Sequence, residues 1–129
     1  MSEFLVDTHV ILWYIQGNVR LSPKTITLIN DPQNIIYVSK VSLWEISLKM
    51  SIGKLTLSVP FENLSQFLAD KNFIILDFDF ADLFVLKELP FHHTDPFDRL
   101  IISQAINNDL YLISDDSKFA PYLVSLIEA

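Results

Sequence analysis

Four carboxylates of this sequence lie in or beside apolar segments that are suited to burial. Asp7 and Asp116 follow two hydrophobic runs of strand length, and Glu45 and Asp98 interrupt apolar stripes of helical spacing. An unpaired buried carboxylate is costly, so it usually binds a proton or a cation. Four acids that converge therefore predict a divalent metal site, and their hard oxygens favour Mg²⁺ or Mn²⁺.

The segments around these acids alternate between strand and helix patterns. Apolar runs predict strands over 3–7, 35–39, 73–78, 110–114 and 123–127, with a short extended piece over 55–59. Helical spacing and capping residues predict helices over 8–16, 22–30, 40–51, 60–69, 80–88 and 95–107. Continuous apolar strands separated by helices are typical of a mostly parallel sheet covered on both faces. We expect an α/β fold, a three-layer α/β/α sandwich, in one domain spanning 1–129.

The predicted sheet gives Asp7 and Asp116 a shared position. In open parallel sheets, ligand sites form outside the carboxyl ends of the strands, where both residues lie. An Asp after a strand is also a common turn or helix-capping residue. Asp115 adjoins Asp116, and the sequence leaves open which of the two enters the site and which caps the following turn.

Glu45 is expected on an apolar helix face. In a helix it shares that face with Val41, Trp44, Leu48 and Ile52. The alternative is an exposed ion pair with Lys49 at the favourable i, i+4 spacing. Lys49 can also pair with Glu45 inside a working site or contact a phosphate.

The segment HTDPFDRLIISQA at 93–105 contains two acids with different expected roles. Asp95 precedes Pro96, which is typical of a helix N-cap followed by proline at the first helical position. Asp98 lies one turn later, either as part of an acidic capping arrangement or as a metal ligand. Arg99 pairs with an acid, contacts phosphate, or is a solvated surface residue.

Composition limits the function classes. The net charge of −7, from 16 acidic and 9 basic residues, counts against a broad basic surface for nucleic acid but not against a metal-dependent nuclease. With no cysteine there is no disulfide framework, thiolate zinc site or cysteine nucleophile. No apolar run approaches the roughly 18 residues of a membrane span, and the first residues do not resemble a secretory leader. We expect an intracellular protein without a membrane partner.

Other chemistries fit the residues less well. A zinc site or an acid–base pair built from His9, His92 and His93 is disfavoured, because two of these are adjacent and no thiolate is available. A haloacid-dehalogenase-like phosphatase has a second acid where this chain has His9. A response-regulator receiver has an acidic pair after its first strand, where this chain has only Asp7.

Four segments together resemble the motifs of PIN-domain proteins, and in particular VapC-type toxins of bacterial toxin-antitoxin pairs. They are LVDTHVILW at 5–13, YVSKVSLWEISLKMSIGKL at 37–55, HTDPFDRLIISQA at 93–105 and LISDDSKF at 112–119. The resemblance covers nearly the whole chain. It implies the α/β/α fold expected above and a metal-dependent endoribonuclease activity that leaves a 5′-phosphate and a 3′-hydroxyl.

The resemblance also implies roles for single residues. The acidic quartet of the family falls on Asp7, Glu45, Asp98 and Asp116, and its hydroxyl residues fall on Thr8 and Ser114. We expect Asp7 and Asp98 as principal ligands of Mg²⁺ or Mn²⁺, with Asp116 supporting a metal directly or through water. Glu45 is a ligand, a water-orienting group or a general base. Asp115 occupies a position that is not acidic in the family pattern, and the number of metal ions stays open.

Partners follow from the same resemblance. It implies an RNA substrate, a small cognate antitoxin whose C-terminal segment fills the acidic groove, and a cytoplasmic homodimer that can join larger toxin-antitoxin assemblies. An antitoxin arginine near the carboxylates would compete with the cation for the same charge. The alternative is a non-catalytic PIN-like module that binds RNA or protein.

Overall fold

The computed structural model describes residues 2–122 and 125–129. The strands are β1 Glu3–Val6, β2 Ile35–Ser39, β3 Phe73–Leu76, β4 Tyr111–Ser114 and β5 Ser125–Glu128. The helices are α1 Thr8–Gln16, α2 Pro23–Asn30, α3 Lys40–Ser51, α4 Phe61–Asp70, α5 Phe80–Glu88 and α6 Pro96–Asn107, with a 3₁₀ turn at Ser117–Phe119.

The five strands form one parallel sheet in the order β3-β2-β1-β4-β5. Strand β1 lies in the centre, and the chain leaves it towards β2 on one side and returns through β4 on the other. Ligand sites of open α/β sheets form at such a switch point, outside the carboxyl ends of the strands. The sheet order therefore places the residues after β1 and after β4 at one edge.

Side chains of successive β1 residues enter different cores. Phe4 and Val6 belong to one buried cluster, which also takes residues from α1, α2, α3 and α4. Leu5 belongs to a second cluster, built largely with α6 and β4. Because neighbouring residues of a strand point to opposite faces, the two clusters lie on opposite sides of the sheet. The predicted three-layer sandwich with a parallel sheet is confirmed.

Local capping residues set several helix ends as predicted. Ser22 accepts a hydrogen bond from the Thr25 amide at the start of α2. Asp95 accepts one from the Asp98 amide at the start of α6. Gly17 ends α1 with φ of 64°, a left-handed backbone conformation that glycine adopts without steric strain.

Two of the predictions for secondary structure need correction. Residues 55–59 form no strand, because their alternating pattern finds no neighbouring strand to pair with in the described part of the chain. The predicted strand 73–78 ends at Leu76, and the Asp77 carboxylate then accepts a hydrogen bond from the Phe78 amide. The predicted strand 123–127 corresponds to β5, while residues 123–124 lie outside the described residues.

The predicted apolar face around Glu45 is also wrong. Trp44, Leu48 and Ile52 are exposed, whereas α3 turns Val41, Ser42, Glu45 and Ile46 towards the interior. The buried stripe is rotated around the helix relative to the predicted one, and Glu45 lies inside it.

Across residues 2–122 and 125–129, none of the helices combines the length and the apolar character that crossing a membrane requires.

Candidate metal centre

Asp7 lies between β1 and α1 and has two structural contacts. Its Oδ1 accepts a hydrogen bond from the Val10 amide at 2.8 Å, so it is the N-cap of α1. Its Oδ2 accepts one from the Ser114 hydroxyl at 2.5 Å. The side chain is only 2% exposed, and this burial raises the pKa of Asp7 above its ordinary value. The sequence left capping and a place in the site as alternatives for Asp7, and the structure gives this residue both.

The end of β4 brings the second acid to the same edge. The Ser114 hydroxyl accepts a hydrogen bond from the Asp116 amide at 3.0 Å, which links the β4 terminus to Asp7. Asp116 Oδ1 accepts from the Lys118 amide at 2.9 Å and so caps the 3₁₀ turn. Its Oδ2 lies 3.0 Å from His93 Nε2. Asp115 is exposed, so Asp116 is the acid that faces the centre of the cluster.

Asp98 enters the cluster from the first turn of α6. Its amide is bound by the Asp95 cap, and its Oδ2 lies 3.0 Å from His93 Nε2. The pKa of Asp98 is raised to about 7, chiefly because burial disfavours the charged form. The negative charges of neighbouring acids raise it further. They are Asp95, Glu45, Asp7 and Asp116. The four predicted acids are therefore gathered within one electrostatic site.

Glu45 reaches the site from α3 and is 6% exposed. Its Oε2 forms an ion pair with Lys49 Nζ at 2.9 Å. Its Oε1 is buried and has no hydrogen-bond partner among the described residues. A buried polar atom without a partner is costly, so this oxygen is suited to a cation or to a water molecule. An all-oxygen set of carboxylates with one unpartnered oxygen fits Mg²⁺ or Mn²⁺.

Two of the remaining predicted residues, Thr8 and Arg99, make structural contacts within the fold. The Thr8 hydroxyl lies 2.9 Å from the Ser42 hydroxyl and links α1 to α3. Arg99 is 6% exposed. Its guanidinium donates hydrogen bonds to three backbone carbonyl oxygens, those of Leu89, Pro90 and His93. Arg99 therefore stabilises the segment before α6, and its donors face carbonyls rather than a phosphate or solvent.

His93 is a site residue that the sequence analysis did not select. Its side chain is 5% exposed, and one donor atom each from His93, Asp98 and Asp116 lie within 4.8 Å of one another. Its partner Asp116 is 23 residues away in the sequence, so spacing alone does not reveal the contact. The available signal was its place two residues before the cap Asp95.

A cavity of about 230 Å³ adjoins the acids and was also not predicted. Asp7, Asp115 and Asp116 line one part of it, and His9, Trp13 and Arg20 line the rest. Arg20 is exposed, and the His9 and Trp13 rings lie 6.2 Å apart between centroids. The cavity thus joins carboxylates to an aromatic and a cationic side chain.

Comparisons with known proteins agree with the fold. The family model described as "PIN domain" matches residues 4–122. A comparison with curated protein sequences finds no significant match.

Several solved structures share the fold at low sequence identity. The chain aligns with the structure of VapBC2 from Rickettsia felis bound to a DNA fragment from its promoter. The TM-score is 0.75, the sequence identity is 22%, and the alignment covers 98% of both chains. For DNA-bound VapBC from Salmonella typhimurium the TM-score is 0.67, with 16% identity and 99% and 98% of the chains covered. For a toxin-antitoxin complex from Klebsiella pneumoniae the TM-score is 0.65 and the sequence identity is 18%. The alignment covers 95% of this chain and 94% of the other.

Proposed function

The chain belongs to the PIN domain family, and on that premise we propose that it is a Mg²⁺- or Mn²⁺-dependent endoribonuclease acting as the toxin of a toxin-antitoxin pair. The observation that carries the proposal is the acid cluster, in which the buried Glu45 Oε1 has no partner among the described residues and the pKa of Asp98 is raised to about 7. Such a cluster favours a divalent cation, and PIN domains are generally nucleases. The proposed unit is one PIN-like domain spanning residues 1–129.

The proposed ligands are Asp7, Asp98 and Asp116, which come from three different elements. Ser114 orients Asp7 by donating to its Oδ2. When bound, a divalent ion supplies stabilisation for phosphate charge and lowers the pKa of water that it holds. Glu45 offers its free Oε1 to accept a proton from the attacking water, while Lys49 balances its charge through Oε2. Water adds to phosphorus, the bond to the 3′ oxygen breaks, and that oxygen takes a proton from solvent, which leaves a 5′-phosphate and a 3′-hydroxyl.

The cavity beside the acids is the proposed position of the neighbouring nucleotide. Trp13 offers a ring for a base, and Arg20 offers a guanidinium for a phosphate. We expect Arg20→Ala to raise KM for RNA about fivefold, the equivalent of about 1 kcal/mol for one solvent-exposed ionic contact, with kcat and metal affinity little changed. Lys24→Ala is the matched control, because Lys24 is exposed and does not line the cavity. Equal KM values for the two variants would contradict this position.

The proposed partner is a small antitoxin protein, and the proposed assembly is a cytoplasmic homodimer. Structural likeness to chains from VapBC complexes supports this choice among PIN-domain functions. A small reading frame beside the gene, whose product co-purifies with this chain and inhibits its cleavage of RNA, is the expected finding. Active nuclease that no neighbouring gene product inhibits would contradict the toxin role and leave the nuclease role intact.

The nuclease role is tested with purified protein and structured RNA. Cleavage is expected with Mg²⁺ or Mn²⁺, and it should stop when EDTA is added. Asp116→Asn is expected to lose cleavage at least about a hundredfold, whereas Glu62→Gln, which alters an exposed acid outside the cavity, keeps it. Circular dichroism checks that both variants fold. Cleavage that persists without metal, or in folded Asp7→Asn protein, contradicts the proposed chemistry. Metal binding without any cleavage would indicate a non-catalytic module instead.

A further inference from the structure

His93 occupies the space between two acids that arrive from different parts of the fold. Its Nε2 lies 3.0 Å from Asp98 Oδ2 and 3.0 Å from Asp116 Oδ2. Asp98 belongs to α6, and Asp116 follows β4. The imidazole is therefore the contact that joins these two carboxylates.

The hydrogen bond at the other ring nitrogen decides where the imidazole proton lies. The Asp95 amide donates to His93 Nδ1 at 3.2 Å. A backbone amide only donates, so Nδ1 carries a lone pair, and the single proton of the neutral ring is on Nε2. In this tautomer Nε2 has no lone pair for a metal. Although the three residues have the spacing of a metal trio, His93 acts here as a hydrogen-bond donor to Asp116, and Asp98 Oδ2 lies 3.0 Å from the same Nε2.

The backbone of His93 is held by two further residues, and a third packs on its ring. Its amide donates to the Tyr122 hydroxyl at 2.7 Å, and its carbonyl accepts from Arg99 at 3.2 Å. Its ring packs against Phe119 with 5.5 Å between the centroids. With a side chain that is 5% exposed, the ring has little freedom to move away from the carboxylates.

We propose that His93 is a positioning residue: its Nε2–H donates to Asp116 Oδ2 and lies against Asp98 Oδ2, and it so fixes both carboxylates for metal binding. The inference rests on the proposed metal site and adds a residue to it. The Nε2–H group faces both carboxylates, which repel each other when both are ionised. Partners of this kind orient metal ligands, and their loss typically lowers metal affinity 10- to 100-fold.

The test compares a variant that lacks the donor with one that keeps it. His93→Met removes the N–H group at similar size, whereas His93→Gln places an amide N–H near the Nε2 position. His92→Met is the matched control, because His92 is the adjacent and exposed histidine. Isothermal titration calorimetry with Mn²⁺ measures the metal affinity of the purified full chain.

The expected result is a 10- to 100-fold weaker Mn²⁺ affinity for His93→Met, with His93→Gln within about threefold of the wild type and His92→Met unchanged. Wild-type affinity in His93→Met overturns the proposal, as does an equal loss in His93→Gln. A wild-type chain that binds no metal contradicts the proposed function instead, so the two failures are distinguishable.

A second measurement covers the case in which His93→Met does not fold. Two-bond ¹H–¹⁵N correlations of the metal-free wild-type chain, recorded at a pH where the imidazole is neutral, report which nitrogen carries the proton. A proton on Nε2 supports the bridge, and a proton on Nδ1 overturns it.

Discussion

Two carboxylates of the site are costly to keep ionised and buried, for different reasons. Glu45 keeps one buried oxygen without a partner among the described residues. Asp98 lies in a partly desolvated position beside other negative charges, and its pKa is raised to about 7. A cation relieves both conditions, whereas a proton on Asp98 relieves only one. The residue arrangement therefore makes proton binding and metal binding at Asp98 competing events.

This competition gives a pH-dependent stability that can be measured without metal. The pKa of Asp98 is about 7 in the folded chain and ordinarily 3.8, so between these values the folded state holds a proton that the unfolded state has lost. The contribution of Asp98 to the free energy of unfolding therefore falls as pH rises through this window. We expect Asp98→Asn to gain stability relative to the wild type over this range, by at most about 1.4 kcal/mol per pH unit.

Urea unfolding with EDTA at several pH values between about 5 and 8 measures this difference. The stability advantage of Asp98→Asn should increase up to about pH 7 and then level off. Asp115→Asn is the control, since it removes an exposed acid and is expected to show a nearly constant difference. A constant difference for Asp98→Asn as well would contradict the raised pKa.

At the residue scale, the sequence identified the acids better than their neighbours. Asp7 and Asp98 were recognisable because a carboxylate beside apolar residues conflicts with burial. His93 was not, because its part depends on Asp116, which only the folded chain brings to its ring. Arg99 was misleading, since an arginine beside an acid has the same pattern whether it binds phosphate or backbone carbonyls.

At the scale of elements, two consecutive residues of α6 make contacts with different parts of the fold. Asp98 faces the acid cluster, and Arg99 binds the carbonyls of Leu89, Pro90 and His93 in the segment before the helix. The helix therefore carries one acid of the site and also fixes the loop that contains the bridging histidine.

Removal of this arginine is expected to destabilise the chain. Arg99→Met keeps much of the side-chain volume but leaves the Leu89 and His93 carbonyls without these donors, while the Pro90 carbonyl keeps the Tyr122 hydroxyl. We expect a loss of about 2–4 kcal/mol in the free energy of unfolding, because hydrogen bonds to a charged group are strong and buried acceptors are costly to leave unpaired. Thermal and urea unfolding measure the loss. Arg20→Met, which alters an exposed arginine, is the control and should change stability by less than about 0.5 kcal/mol. Similar values for both variants would show that the carbonyl contacts are not stabilising.

The elements that the sequence predicted well have signals within a few residues. Each of these residues caps the helix that it adjoins: Ser22 precedes Pro23 at the start of α2, Asp95 precedes Pro96 at the start of α6, and Gly17 ends α1. The piece at 55–59 was predicted wrongly because a strand also needs a neighbouring strand, which no local pattern supplies. The face of α3 was predicted wrongly because that helix has apolar residues on more than one side, and only the packed sheet selects the side that is buried.

At the scale of the whole molecule, the proposed metal site links ion binding to folding. Its members come from the β1–α1 junction, α3, α6 and the segment after β4, so the unfolded chain has no comparable site. A ligand that binds only the folded state stabilises it by RT ln(1 + [L]/Kd), about 2.7 kcal/mol at a concentration one hundred times Kd. We expect Mn²⁺ or Mg²⁺ to raise the melting temperature, and EDTA to reverse this effect.

Two controls separate specific binding from general screening of the net charge of −7. NaCl at equal ionic strength should give a smaller increase, and Asp7→Asn should remove most of the increase caused by the divalent ion. An equal increase in the wild type and in Asp7→Asn would count against a shared metal site.

The central position of β1 has a consequence for the order in which the chain acquires its properties during synthesis. Asp7 emerges from the ribosome early, but its hydroxyl partner Ser114 is 107 residues later, and β4 pairs directly with β1. A chain translated only through β2 contains Asp7 but lacks Asp98, β4 and Asp116. The proposed metal site therefore has its full set of acids only after β4 and the following Asp116 have been made.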